Sequence, residues 1–241
     1  MLKGIARSLL KRRGFEIRQG DLAFAEQRSL AGLLQQQQIN LVLDVGANTG
    51  QFVCQLRAGG YTGRIISFEP LAPAHLALRT LAESDPDWTI ADRTALGAEA
   101  GSVEIHVSSN SVSSSILDML PGHAEAAPQS GYVATETVPL NRLDDLYSPS
   151  ASDRVLLKID VQGYELQVLQ GAQRVLERCA AVISEMSLVP LYDGQVLARE
   201  LWDLMDSKGF EAWSFEPSFR HPQTGRTLQM DGMFVRSEAE Q

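Results

Sequence analysis

The stretch Ile39 to Pro70, INLVLDVGANTGQFVCQLRAGGYTGRIISFEP, decides the fold. Leu41–Val45 is apolar apart from Asp44 near its carboxyl end, the pattern of a parallel strand covered on both faces. The turn Gly46-Ala47-Asn48-Thr49-Gly50 follows; glycines let the backbone turn sharply and let a ligand approach it. Thr49 is expected to cap a helix beginning near Gly50. Arg64–Phe68 then reads as a second buried strand, ended by Glu69-Pro70.

Two acids, Asp44 and Glu69, therefore stand at the carboxyl ends of adjacent parallel strands, the edge where open α/β sheets bind ligands. The turn is not the dinucleotide fingerprint, which needs glycine at positions held by Asn48 and Gln51, and no Gly-Lys-Ser/Thr follows to make a phosphate loop. A ligand met by carboxylates is cationic rather than polyphosphate. S-adenosylmethionine fits, with a sulfonium, an ammonium and a ribose diol for a strand-end carboxylate to accept from. The plainer alternative is a βαβ unit with two incidental acids, but stability alone gives no reason for strand-end carboxylates beside a glycine-rich turn.

The chain has 241 residues, room for one core and a few appendages. Its 44% hydrophobic and 21% charged residues are ordinary for a globular domain, and the net charge of −9 argues against a general nucleic-acid binder. Cys54 and Cys179 give neither a disulfide framework nor metal-finger spacing; both are expected to be buried thiols in a reducing, cytoplasmic setting. No apolar run reaches the roughly 20 residues of a membrane span, and no signal-peptide core is legible.

Residues 1–38 read as a helical arm ahead of a domain at 39–241. Leu2, Ile5, Ala6, Leu9 and Leu10 share one helical face, and Lys3, Arg7, Lys11, Arg12, Arg13 and Arg18 stand against Glu16 alone. A docking helix with a solvated basic side explains this; contact with an anionic membrane or a charged glycan carrier is the sharper alternative.

Beyond Pro70, Ala72–Glu83 reads as a helix and Trp88–Ala91 as a strand, with the 94–97 loop expected over an adenine pocket where Asp92 or Ala95 meets the base edge. Val103–Val107 alternates like an added strand carrying His106. Residues 108–116, SSNSVSSSI, form a hydrogen-bonding loop, either plain surface or a cover over the cofactor and a polyhydroxylated acceptor. Pro121–Ser130 reads as a mobile lid, Thr135–Leu140 as a strand and Asn141–Tyr147 as a helix capped by Asn141.

Arg154–Ile159 is another buried strand, and Asp160-Val161-Gln162-Gly163 puts a third acid on the same edge, before a helix over Tyr164–Leu176. Lys158 should be partly buried and paired. Ala180–Ser187 carries Glu185 toward its end, facing Asp160 across a cleft. Gln195–Lys208 is an amphipathic helix with Trp202 turned inward. Phe210–Phe215 and Gln229–Arg236 form a hairpin around an exposed 216–226 link, either a plain connection or a loop that helps bind acceptor, and Tyr192 and Asp231 are expected close to the cleft mouth, with no role assigned.

DVGANTGQF, FEP, the polar loop at 110–115, LDDL, LKIDVQGYELQVLQGA and the ISEMS strand occur here in the order seen in the FkbM family of S-adenosylmethionine-dependent O-methyltransferases, which the chain resembles from about Ile39 to Val235. The resemblance implies a Rossmann-like, seven-stranded class I α/β sheet, mostly parallel with the last strand antiparallel, and methyl transfer to a hydroxyl of a sugar, glycan or secondary metabolite. Cofactor contacts are expected from Asp44, Gly46, Ala47, Asn48, Thr49, Gly50, Phe52, Glu69, Pro70, Leu71, Asp92, Ala95, Asn110, Ser115 and Asp160. A base must take the hydroxyl proton, and Asp160, Glu185 and His106 are the candidates. Each has a plainer reading: a cofactor contact for Asp160, a strand-end salt bridge for Glu185, a surface imidazole for His106. A magnesium ion between Asp160 and Glu185 is a further option, although Gln162 stands where relatives often carry Glu. The alternatives to a methyltransferase are a non-catalytic cofactor-binding module or a dehydrogenase-like nucleotide enzyme.

Overall fold

A computed structural model describes residues 30–237. The apolar face of the arm and its membrane contact lie outside these residues. A helix over residues 30–36 (α1) leads to β1, Leu41–Val45, whose five residues are all buried. After it come α2 (Gln51–Ala58), β2 (Arg64–Phe68), α3 (Ala72–Ala82) and β3 (Trp88–Ile90). A second layer follows: β4 (Ala95–Leu96), β5 (Gly101–Ser108), α4 (Pro121–Ala126), β6 (Tyr132–Asn141) and α5 (Leu143–Leu146). The chain then returns through β7 (Val155–Ile159), α6 (Glu165–Gln170), α7 (Gln173–Leu176), β8 (Cys179–Ser187), α8 (Ala198–Ser207), β9 (Phe210–Arg220) and β10 (Thr227–Arg236).

The main sheet has seven strands in the order β3-β2-β1-β7-β8-β10-β9, with β10 antiparallel to both neighbours. This is the expected methyltransferase sheet. Strand alternation sorts its side chains. Leu41, Leu43, Val45, Leu157 and Ile159 point to one face and pack under Val168, Leu169, Val175, Leu201 and Met205. Val42, Leu156, Ile183 and Met233 point to the other, under Leu30, Leu33, Val53 and Leu56. Asp44 and Lys158 fall on this second face, at the carboxyl end where hydrophobic cover gives way to the cleft. β4, β6 and β5 make a separate three-stranded sheet beside that end, packed on Leu71 and Ala74.

Several local expectations are corrected. Thr49 does not cap α2: its N-cap is Gly50 in a left-handed conformation, φ 91°, with no side-chain bond. Residues 121–130 are not a loose tip, because proline at the first turn starts α4 and a 3-10 turn, Pro128–Ser130, closes it. Asn141 ends β6 instead of capping a helix. The helix expected over 164–176 breaks at Gly171, where a side chain would lie 1.9 Å from the Gly97 carbonyl oxygen. The 216–226 link is strand as far as Arg220, where β9 still pairs with β10, and only residues 221–226 form the connection. Trp202 is 42% exposed and stacks on Phe215, ring centroids 4.6 Å apart. Cys54 is exposed, whereas Cys179 is buried as expected. No described helix is long and apolar enough to cross a membrane.

Candidate active site

A cleft of about 510 Å³ opens over the carboxyl ends of β1, β2 and β7 and runs toward β10 and β9. Its first wall is the turn after β1. Gly46 adopts φ 76°, and a Cβ there would sit 1.8 Å from the Asp160 carbonyl oxygen, so only glycine lets the β1 and β7 turns touch. Asn48 also takes a left-handed conformation, φ 47°, which aims its N–H at Glu69 Oε2, 2.8 Å away. The Leu71 N–H donates to Glu69 Oε1, also at 2.8 Å. Two amides thus fix the carboxylate while leaving further lone pairs. Burial pushes the Glu69 carboxyl up to about 7 despite these donors.

Asp44 lies beneath this wall, fully buried. It accepts from Ser67 Oγ at 3.1 Å, and that hydroxyl in turn accepts from Trp88 Nε1 at 3.0 Å. Its other oxygen has no hydrogen-bond donor, and faces Lys158 Nζ at 3.4 Å. Burial raises the Asp44 pKa and the ammonium opposes this. Lys158 also stands 3.4 Å from Asp160 Oδ2. Burial alone would lower its pKa, but Asp160, Asp44 and Asp231 together hold it above the ordinary value, so it stays charged. Lys158 is therefore more deeply buried than expected, and paired as expected.

The second wall is a side-chain network. Gln162 takes φ 55°, and its carbonyl accepts from Ser115 Oγ at 2.6 Å. Its Nε2 donates to Asp160 Oδ1 and to Glu185 Oε2, 2.9 Å each, while its Oε1 accepts from the Tyr192 hydroxyl at 2.7 Å. Glu185 Oε2 also accepts from Gln229 Nε2 at 2.7 Å. Burial, then the charges of Asp160, Glu165 and Asp231, drive the Glu185 pKa well up. Glu165, buried behind them, is pushed up to about 7 by burial and accepts from the Val161 and Gly163 amides.

Of the residues expected at the site, Gly46, Ala47, Asn48, Phe52, Glu69, Pro70, Leu71, Ala95, Ser115 and Asp160 line the cleft. Asp44 and Glu185 support it from behind. Thr49, Gly50, Asp92 and Asn110 are not among the lining residues; Asp92 is exposed, and the Asn110 side chain ties its own loop through Ser108 and Ser113. His106 is also away from the cleft, stacked on Tyr132 at 4.8 Å with Nε2 3.3 Å from Asp118, because the second sheet turns it outward. Glu185 makes no ion pair with Lys158; its partners are the amides of Gln162 and Gln229. The Gln162 amide also takes the position between Asp160 and Glu185 where a magnesium ion would sit, and no group of three or more ligating side chains occurs among the described residues. The donor set does not fit a metal.

The cleft does fit S-adenosylmethionine. Its glycine cradle, the fixed Glu69 carboxylate and the apolar patch of Leu71, Ala95 and Ile116 suit the amino-acid, ribose and adenine parts in turn. The sequence placed Asp231 and Tyr192 close to the cleft mouth without a role, and Asp231 does line it; the joining of Gln162, Tyr192 and Gln229 into one unit was missed, as were Ser111, Ser114 and Glu216 as individual lining residues. The serine-rich composition of 108–116 was the one available signal for Ser111 and Ser114.

The family model described as the methyltransferase FkbM domain matches residues 44–212, well over half of the chain. No curated protein matches it in sequence. Among solved structures, an uncharacterized protein from Listeria monocytogenes serotype 4b superposes with a TM-score of 0.50 at 10% identity, covering 89% of this chain and 68% of that one. An rRNA methylase from Streptococcus thermophilus gives 0.46 at 10% identity, over 92% and 99% of the two chains. The 1,6-didemethyltoxoflavin-N1-methyltransferase of Burkholderia thailandensis, solved with S-adenosylhomocysteine, gives 0.45 at 12%, over 88% and 77%. Likeness at this identity speaks only to fold. The matched segment contains both turns that build the cleft, and on that match the chain belongs to the FkbM family of S-adenosylmethionine-dependent methyltransferases.

Proposed function

We propose that this protein methylates a hydroxyl oxygen of a sugar, glycan or secondary metabolite. The observation that carries the reading is Asp160. It is a rim carboxylate, its side chain 38% exposed to the cleft, standing where the Gly46–Asn48 turn meets the β8–β10 end. Lys158 and Gln162 hold it from behind, so its orientation is set before any acceptor arrives.

Bound in the cleft, S-adenosylmethionine supplies an electrophilic methyl on a sulfonium, which leaves as a neutral thioether. Everything else falls to the protein. The 111–116 loop, tied to Asn48 through Ser111 and to Gln162 through Ser115, forms part of the cleft wall beside both turns. The cleft aligns acceptor oxygen, methyl carbon and sulfur, which supplies much of the rate. Asp160 takes the hydroxyl proton as the oxygen–carbon bond forms. The proton then leaves Asp160 for solvent from its exposed side, while the Gln162 amide and the Lys158 ammonium, both donors, hold the carboxylate in place. A carboxylate base suits a hydroxyl, which must shed its proton to become a good nucleophile.

The test is incorporation of labelled methyl from the donor into sugars, oligosaccharides and polyhydroxylated small molecules, with amine analogues alongside. Label in ether-linked methyl groups, lost in Asp160→Asn, is expected. Label in amine products alone would overturn the oxygen assignment. Calorimetric binding of the donor without turnover of any acceptor would favour a cofactor-binding module.

A further inference from the structure

The cleft lining also includes Glu216 and Ser218 from β9 and Asp231 from β10, which make a second end away from the β1 turn. β10 and β9 lie three and four strands from β1 in the sheet order. At the usual strand spacing that is roughly 14 and 19 Å from β1. Asp231 is paired in register with Glu185 on one side and with Glu216 on the other. Three carboxylates therefore stand in a row across three strands on one face. Like charges directly opposite each other cost stability; Glu185 is held by the Gln162 and Gln229 amides and Glu216 accepts from Ser214 Oγ at 2.9 Å.

The balance of charge around the whole cleft points the same way. Glu69, Asp160, Glu216 and Asp231 line it, against Lys158 as the lone cationic lining residue among those described. Lys158 pairs with Asp44 and Asp160, and the Asp231 charge also acts on it, so one cation answers all of these acids. No arginine lines the cleft, so the usual fork for a phosphate or carboxylate is missing from its described walls.

We propose that this second end selects hydroxyl acceptors that carry no negative charge, neutral or amine-bearing polyols, with Asp231 and Glu216 as the specificity-determining residues. The inference rests on the methyl-transfer reading above and adds the charge of the acceptor. Each phosphate, sulfate or carboxylate on an acceptor meets carboxylates on adjacent strands, worth about tenfold in selectivity near a protein surface.

The experiment separates an extract of the producing cells by ion exchange into anionic, neutral and cationic pools. Each pool is incubated with the full chain and methyl-labelled donor. Label should enter the neutral or cationic pool at least tenfold over the anionic one. Glu216→Gln, and Ser218→Lys on the exposed rim beside it, should both narrow that ratio; an unchanged ratio in both variants would overturn the assignment of these residues. Label mainly in the anionic pool would overturn the inference and leave methyl transfer standing. No label in any pool, with donor binding intact by calorimetry, would remove the hydroxyl-transfer reading and the inference with it.

Discussion

The turns after β1 and β7 are neighbours on one sheet edge and share a backbone device. Each puts a non-glycine residue into the left-handed region, Asn48 at φ 47° and Gln162 at φ 55°. What they hold differs. The first turn works through main-chain atoms: the Asn48 amide fixes Glu69, and the Asn48 side chain reaches only Ser111, at 3.4 Å. The second works through a side chain, with the Gln162 amide joining Asp160, Glu185 and Tyr192. The polar residue of the first turn thus acts through its backbone amide, whereas that of the second adds its side chain to the backbone bonds of its turn. One should tolerate substitution of its polar residue, and the other should not.

Gly46→Ala attacks both walls at once, since the new Cβ would meet the Asp160 carbonyl at 1.8 Å in a φ of 76°. A loss of at least about 3 kcal/mol by denaturant titration is expected, together with loss of donor binding. A soluble Gly46→Ala protein with native donor affinity would show that the turns are not in contact.

Asp160→Asn should separate chemistry from donor binding. The rate at saturating acceptor should fall on the order of 100-fold or more, with the calorimetric donor affinity changed only a few-fold. An unchanged rate would strike Asp160 from the catalytic residues.

The sharpest comparison is Asn48→Gly beside Gln162→Gly. Both relieve a left-handed residue, so that contribution cancels. Asn48→Gly should be nearly neutral in melting temperature because the amide that serves Glu69 remains. Gln162→Gly should cost about 1–3 kcal/mol, because the buried Tyr192 hydroxyl and the Glu185 carboxylate lose a partner. Equal effects would erase the distinction between the walls.

The smallest effect is pH dependence. Glu69 has a pKa near 7, and ribose hydroxyls would donate to its ionised form. Donor affinity should therefore weaken as pH falls below about 7, by up to about tenfold per unit. Glu69→Gln should bind more weakly and lose the slope. The empty protein shows the opposite sign. A folded pKa above the ordinary 4.5 gives stability that is full below 4.5 and lost as pH rises through about 7. Melting curves at pH 5 and 8 check that sign.

Much of the first wall was legible in the sequence, and less of the second. Leu41–Val45, the glycine turn and the strand ending at Glu69 follow from local pattern, because a buried parallel strand and its turn impose their own residue types. Asp160 was legible by the same logic. The role of Gln162 was not, since it depends on Tyr192 and Gln229, which come from other parts of the chain and carry no local signal of convergence. The misread cap at Thr49 has a similar origin. Tertiary contact fixes Gly50 against Trp88, and the helix starts from that glycine without needing the hydroxyl. Cys54 and Trp202 were misplaced because short amphipathic helices fix the burial of border positions only through what packs beside them.

The reversed direction of β10 has a practical corollary. Because it runs against β8, the residues that enter it and the residues that leave β9 arrive together at the mouth of the cleft, on a ribbon connected to the donor wall only through the sheet. On the acceptor reading proposed above, exchanging residues 216–218 and 231 while keeping Gln229 for Glu185 should rewrite which compound is modified and leave the grip on the methyl source unchanged.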